Sequence, residues 1–292
     1  MKHDKETKKP LVVGIGELLW DVFPDSKKAG GAPINFVYHA TQMGAEGCAI
    51  SAVGNDVFGT EIIRELEKNH ICNYIEMVEH PTGSVLVELQ NGSPTYTINE
   101  GVAWDYLPLT GQSIELMKEA DAVCFGTLAQ RSTVSRETIT TLLDYVKEGA
   151  LCFFDINLRQ HYYSREIIEA SLKKANVFKL NDEELLLLRT MFRLEGSDEE
   201  VCRYFMRQYD LRYLILTAGS QYSTIYSENE ESTIQTPKVT VTDTVGAGDS
   251  FSGAFIYSIL TGKTLQEAHQ VAVEIAAFVC TQQGAWPTYG DR

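Results

Sequence analysis

In Asp243-Thr-Val-Gly-Ala-Gly-Asp-Ser-Phe-Ser-Gly-Ala-Phe255, two glycines, Gly246 and Gly248, flank one alanine just ahead of an amphipathic run. Phe251, Ala254, Phe255 and Ile259 follow at helical spacing, so the run reads as a helix whose first turn carries the glycines. Glycine lets the backbone approach a ligand closely. The first N–H groups of a helix lack intrahelical partners and lie at the positive end of its dipole, which makes this turn a cradle for an anion. Asp249 sits in that cradle with the wrong sign of charge. A carboxylate there repels phosphate unless it accepts a proton from a hydroxyl that attacks the phosphate. Its plainer use is as a helix cap.

A second glycine-rich turn, Gly30-Gly-Ala-Pro-Ile-Asn35, feeds another helix, with Pro33 near its first position. Asn35 is polar among Ile34, Phe36 and Val37, which suits a residue that binds hydroxyls, with Gly30 and Gly31 leaving room for a sugar oxygen. Asp155-Ile-Asn-Leu-Arg159 leaves an apolar strand. While the backbone stays extended, Asp155, Asn157 and Arg159 share one side, either as a salt-bridged strand end or as part of a site. Asn181-Asp-Glu-Glu184 reads as an N-cap with acidic residues in the first turn, and such a helix start can also face a cleft.

Leu11–Gly16, Cys48–Val53, Ala122–Gly126, Leu151–Asp155, Val177–Leu180 and Tyr213–Thr217 are apolar enough to be buried strands. Helical patterns fall at Asn35–Met43, Gly59–Asn69, Ser135–Glu148, Arg165–Ala175, Asp182–Met191, Asp198–Tyr209 and Ala272–Ala285. This alternation predicts a mostly parallel sheet with helices on both faces. Gly83–Glu88 and Thr95–Asn99 break the rhythm. They alternate apolar and polar residues around Asn91-Gly92, a hairpin signal that suggests a small β lid.

The 292 residues, 44% of them hydrophobic, are read as a single domain with a substantial core, since no linker separates two units. A net charge of −15 disfavours nucleic acid or an anionic membrane as partner. No apolar run approaches a membrane span, and residues 1–9 read as a charged tail with no signal peptide. The six cysteines, Cys48, Cys72, Cys124, Cys152, Cys202 and Cys280, show no metal-ligand spacing. They point to a reducing cytoplasm without disulfides, Cys152 and Cys280 being the least prone to react. His39 and His269 are expected on helix surfaces, and Trp20 and Trp104 either pack or face a sugar. Gly262-Lys-Thr264 lacks the upstream glycine of a P-loop, where Tyr257 stands. Gly14-x-Gly16 lacks the third glycine of a dinucleotide turn.

The Asp243–Asp249 string resembles the second signature of the PfkB (ribokinase-like) carbohydrate kinases, Asp-Thr-x-Gly-Ala-Gly-Asp. The Gly30–Asn35 string resembles the first, Gly-Gly-x-x-x-Asn. The resemblance implies an α/β, ribokinase-like fold: a mostly parallel central sheet with helices on both faces, plus a small β-sheet lid from about 17–30 and 81–105. It makes Asp249 the catalytic base, Gly246, Ala247 and Gly248 the anion hole, and Arg159 the neutraliser of phosphoryl charge. Asp21 (from Gly16-Glu-Leu-Leu-Trp-Asp21), Gly30, Gly31, Asn35 and Asn157 would bind the sugar. Glu17 either matches fructokinase-like members or is structural.

Asn181 and Glu184 resemble the Asn-x-x-Glu motif, which organises Mg²⁺ and phosphate largely through water. Thr217 and Gly219 resemble the nucleotide-binding strand end, although Tyr222 replaces the usual second glycine. The expected cofactors are ATP and Mg²⁺, with K⁺ near Asp243 left open. The expected reaction is ATP-dependent phosphorylation of a sugar hydroxymethyl group, fructose first. Glu17, Asp21, Gly126–Ala129, Asn99–Asp105 and Asp155/Asn157/Arg159 carry the fructokinase likeness. Ribose, 2-keto-3-deoxygluconate and a nucleoside are the alternatives within the family, and a catalytically silent sugar sensor is the alternative outside it. A lid with an exposed edge favours a homodimer.

Overall fold

The computed structural model describes residues 8–90 and 93–290; the Asn91-Gly92 turn and most of the expected tail lie outside them. β1 (Leu11–Ile15) leads into β2 (Leu19–Phe23), β3 (Ser26–Gly30), α1 (Ala32–Met43), β4 (Glu46–Gly54), α2 (Val57–Lys68) and β5 (Cys72–Val78). After β6 (Gly83–Gln90) and β7 (Ser93–Ile98), helices and strands alternate: α3 (Gly111–Glu119), β8 (Ala122–Gly126), α4 (Thr133–Leu143), β9 (Leu151–Asp155), α5 (Arg165–Leu172), β10 (Val177–Asn181) and α6 (Asp182–Phe192). The chain continues through α7 (Asp198–Tyr209), β11 (Tyr213–Thr217), β12 (Tyr222–Tyr226), β13 (Glu231–Gln235), α8 (Ala247–Leu260) and α9 (Leu265–Cys280).

The large sheet runs β13-β12-β11-β10-β9-β8-β1-β4-β5. From β11 to β5 all neighbours are parallel; β12 and β13 extend it antiparallel. β1, β8 and β9 are buried at every position, as strands covered on both faces must be. Alternate residues feed two cores. Val123, Phe125, Phe154 and Phe178 join α4 to α7 on one face, and Ala122, Cys124 and Phe153 join α1, α2, α8 and α9 on the other. On the first face Phe125, Phe154 and Phe178 stack in a row at 5.3 and 5.5 Å. A second sheet, β3-β2-β6-β7, is assembled from the two lid segments, with β6 and β7 antiparallel as the hairpin pattern requires.

Strand order reverses at β1, which lies between β4 and β8. The loops leaving β1 and β8 therefore diverge to opposite faces and open a crevice at the carboxyl ends of the strands. Gly16, Gly126, Asp155, Asn181 and Thr217 all lie at or just past those ends.

Two expectations are corrected and one choice is settled. The last helix begins at Leu265 and ends at Cys280, not over Ala272–Ala285. Thr264 and Glu267 form a reciprocal capping box at its start, and the left-handed Gly284 lies beyond its end. His39 and His269 are fully buried. His39 Nδ1 meets Tyr289 Oη at 2.6 Å, and His269 bridges Ser223 and Ser232 at 2.8 Å each. Burial pushes both imidazoles down, to about 3 and about 4, so both stay neutral. The choice left open for Trp104 falls to packing, for it is 1% exposed.

α1 and α8 cross in close contact at Gly253, where a Cβ would lie 2.6 Å from the Phe36 carbonyl oxygen and 3.0 Å from Ala40 N. Gly253→Ala should gain about 1 kcal/mol in helix propensity yet lose about 1–3 kcal/mol to overpacking. A lower urea midpoint is expected. A raised midpoint would show that the two helices can separate without cost.

Candidate functional site

Gly246 starts α8 in the left-handed region, at φ 78°, and a Cβ on it would lie 2.9 Å from Ala285 Cα. Both conditions demand glycine. Ala247 N–H already donates to Thr244 O at 3.2 Å, so Gly246 and Gly248 supply the more open amides of the expected three. Asp249 follows in the first turn, half-buried. Its Oδ2 accepts from Asn35 Nδ2 at 2.7 Å, a contact between residues 214 apart in sequence. Burial, then the nearby Asp155 carboxylate, push Asp249 up to about 6, against the opposing pull of Lys179, Asn35 and Arg159.

Lys179 is the residue that sequence reading missed. It is 7% exposed, and its Nζ bonds Asp155 Oδ2 at 2.6 Å. That ammonium lies 3.3 Å from where a Cβ on Gly248 would stand, which places a fixed positive charge beside the cradle. Burial works against the charge, but Asp155 and then Asp249 outweigh it and raise the lysine pKa. The available signal was a lysine inside the apolar strand Val177-Phe-Lys-Leu180, where burial without a partner would be prohibitive.

Asp155 thus turns toward Lys179, and the shared side expected for Asp155, Asn157 and Arg159 is lost. The strand ends at Asp155, Ile156 N bonds Lys179 O, and Asn157 takes φ 40°. Arg159 is exposed, and its Nη1 donates to Leu158 O at 3.0 Å. Its positive charge nonetheless lowers the pKa of Glu17, Asp21 and Asp249 alike.

The sugar-side residues converge. A Cβ on Gly30 would stand 3.1 Å from Asp21 Oδ2 and 4.0 Å from Asn35 Oδ1, so Gly30 leaves the gap between them open. Gly31 adopts φ 120° against the Glu17 carbonyl, where no side chain fits. Burial, then Asp243, push Asp21 up to about 6. Glu17 is 2% exposed with Oε2 unpartnered, and burial pushes it up to about 7.

On the donor side, Asn181 and Glu184 close a capping box through two 2.8 Å bonds, and Glu184 Oε1 also accepts from Leu158 N at 2.8 Å. The helix start therefore anchors the 155–159 loop, and cap and cleft-facing motif are the same residues. An apolar cavity of about 610 Å³ lies between Thr217, Gly219, Tyr222, Val239, Phe251 and Ala276 and reaches Gly248. A cavity of that volume and apolar lining can take a nucleoside, and Tyr222 forms part of its wall. Cys280 lines it too, its thiol held protonated by burial and then by Asp243.

Among the described residues no three His, Cys, Asp or Glu side chains are grouped to hold a metal. Glu184, whose two carboxylate oxygens accept from Asn181 N and Leu158 N, keeps lone pairs that could hold the waters of an ion such as Mg²⁺. Asp243 accepts from Val245 N at 3.0 Å and Gly284 N at 2.9 Å, with Lys28 Nζ at 3.7 Å. The chain itself compensates this carboxylate. No helix among the described residues is long and apolar enough to cross a membrane.

The sequence profile of the pfkB family carbohydrate kinases matches residues 14–289. An uncharacterized sugar kinase of Pyrococcus horikoshii, PH1459, is 28% identical over 300 residues, covering 95% of this chain and 92% of its own. Its crystal structure in complex with ATP superposes with a TM-score of 0.82 over 94% of each chain, which makes the fold ribokinase-like. A protein named probable fructokinase-5 from Arabidopsis thaliana is 26% identical over 309 residues, covering 95% and 94% of the two chains. The fold is also that of a Vibrio cholerae fructokinase crystallised with fructose, ADP and calcium, at 23% identity, 96% and 95% coverage and a TM-score of 0.80.

Glu17 gives this site a measurable signature. Its folded pKa of about 7 exceeds the ordinary 4.5, so its contribution to stability is complete below 4.5 and is lost as pH rises toward 7. Glu17→Gln should remove most of that decline, making the variant more stable at pH 8 by about 1–3 kcal/mol. Urea midpoints from pH 4.5 to 8 test this; parallel curves for both proteins would refute it.

Proposed function

We propose that this chain, which belongs to the pfkB family of carbohydrate kinases and is an ATP-dependent sugar kinase, phosphorylates the hydroxymethyl group of fructose with Asp249 as the base. The observation that carries the reading is the position of Asp249. It stands in the first turn of α8, beside the amides of Gly246 and Gly248, is held by Asn35 at 2.7 Å, and directly follows Gly248, which the apolar cavity reaches.

Asp21, Gly31 and Asn35 hold the sugar with Gly30 open between them, and Asn157 lines the far side. The acceptor hydroxyl faces Asp249, which takes its proton as the oxygen attacks the γ-phosphorus and ADP departs. The amides at the start of α8, with Lys179 behind Gly248 and Arg159 from the exposed loop, stabilise charge on the transferring phosphoryl group. Thr217 and Gly219 seat the nucleoside, and Asn181 and Glu184 orient the phosphate end. Mg²⁺, carried in with ATP and held through water, supplies further charge neutralisation. The four-stranded sheet closes the sugar side against water.

Fructose is favoured because relatives named as fructokinases span nearly the whole chain. The reading includes a homodimer joined through the small sheet, whose order ends on β3 and β7 and which leaves Leu86 41% exposed. Light scattering at micromolar concentration tests that part, and a monomer would remove it.

ADP release with MgATP, measured against fructose, ribose, 2-keto-3-deoxygluconate, glucose and adenosine, tests the substrate. Turnover is expected to be highest on fructose. Preference for another acceptor overturns fructose, and sugar binding without ADP release points to a silent sensor. Asp249→Asn should lower kcat about 10²- to 10⁴-fold while sugar affinity is kept. Because the base works ionised, kcat/KM should fall as pH drops through about 6. An acid limb near pH 4 would sink the assignment.

A further inference from the structure

We infer that Trp286 is a positioning residue for Asp249, acting through Asn35: its indole N–H locks the Asn35 amide so that Asn35 can only donate to the Asp249 carboxylate. This rests on the reading of Asp249 as the base.

Trp286 Nε1 donates to Asn35 Oδ1 at 2.7 Å, and Asn35 Nδ2 donates to Asp249 Oδ2 at 2.7 Å. An indole nitrogen is a donor only, whereas an amide can present either end. A flipped Asn35 would set its NH₂ against the indole N–H, two donors facing each other. Trp286 is itself held firmly. Its ring stacks on Tyr38 at 5.1 Å and 6°, and its carbonyl accepts from Tyr38 Oη at 3.1 Å. Its neighbours are fixed by the same strap of chain: Gly284 N bonds Asp243, Ala285 presses on Gly246, and Tyr289 Oη meets His39.

The lock discriminates between the two states of the base. Ionised Asp249 needs the donor that Asn35 presents. Protonated Asp249 would gain from a flipped amide, whose oxygen could accept its O–H, and Trp286 forbids that flip. The lock thus favours the proton-free carboxylate that the reaction starts from, and leaves Asn35 one N–H and one lone pair for the sugar. The other charged or titratable groups around Asp249 are Asp155 on β9, Lys179 on β10, Arg159 in the following loop, Glu17 after β1 and Cys124 on β8. None of them is bonded to Trp286, so a change confined to the indole N–H isolates the relay.

Trp286→Phe keeps an aromatic ring on Tyr38 and deletes the donor. In the full chain, the titration of the Asp249 carboxyl carbon, followed by ¹³C NMR, should move up by about half to one pH unit. The acid limb of kcat/KM should move with it, while KM for the sugar changes less than kcat. In an Asn35→Ala background, Trp286→Phe should add no further shift. An unmoved Asp249 titration, or an equal shift without Asn35, overturns the inference. If Trp286→Phe does not fold, benzothienylalanine at position 286 exchanges only the N–H for sulfur and is read in the same way. The NMR titration needs no turnover. A chain that phosphorylates none of the sugars would defeat the kinase reading while still reporting on the lock.

Discussion

The ion pair between Lys179 and Asp155 is the constraint on which the site depends. Both side chains are about nine-tenths shielded from water and meet at 2.6 Å. Desolvating two charges offsets most of what their attraction returns, so such a pair is weak support for stability. Its value lies in placement. β9 and β10 are adjacent and parallel, with Lys179 in register with Asp155. The pair therefore fixes an ammonium under Gly248 that no flexible surface lysine could hold at that spot. The same carboxylate raises the pKa of Asp249, while the ammonium lowers it. One buried contact thus fixes a positive charge beside the cradle and acts on Asp249 in both directions, within a shift that burial dominates.

Much of this was legible in the sequence because local rules and tertiary structure agree. Asp198–Tyr209 is right at both ends: Ser197 and Glu200 form a capping box at its start, and the left-handed Asp210 closes its end. The five strands predicted after Leu11–Gly16 were all found, since strands buried on both faces have no polar alternation to confuse them. β5 escaped notice because it is an edge strand. Its residues are half-buried or exposed, so Cys72–Val78 shows neither a continuous apolar run nor strict alternation. His39 and His269 misled because histidine on a helix is usually wet, and their burial depends on hydroxyls of Tyr289, Ser223 and Ser232 brought from other elements.

The site residues themselves divide in the same way. Gly246, Gly248, Asp249, Gly30 and Asn35 lie in short strings whose spacing carries the chemistry. Lys179 and Trp286 do not. Lys179 is one polar residue inside an apolar strand, and its meaning appears only when β9 supplies Asp155. Trp286 lies in an irregular strap after α9 with no periodicity, and it reaches Asn35 across 251 residues. Sequence reading recovers groups that act together within one turn; it loses groups whose partners come from a different strand or from the end of the chain.

The arrangement also explains why the positive charge is divided between a rigid and a free group. Glu17, Asp21 and Asp249 are each raised by burial first, to about 7, 6 and 6, so the cleft holds acids that ionise reluctantly. A second buried lysine would pull all three down further, toward the ionised form. Arg159 instead stands on an exposed loop and lowers the pKa of all three, strongly coupled to none by a direct bond. Lys179, locked to Asp155, keeps the cradle positive throughout. The fixed cation sits inside β10, and the exposed one lies in the loop that follows β9.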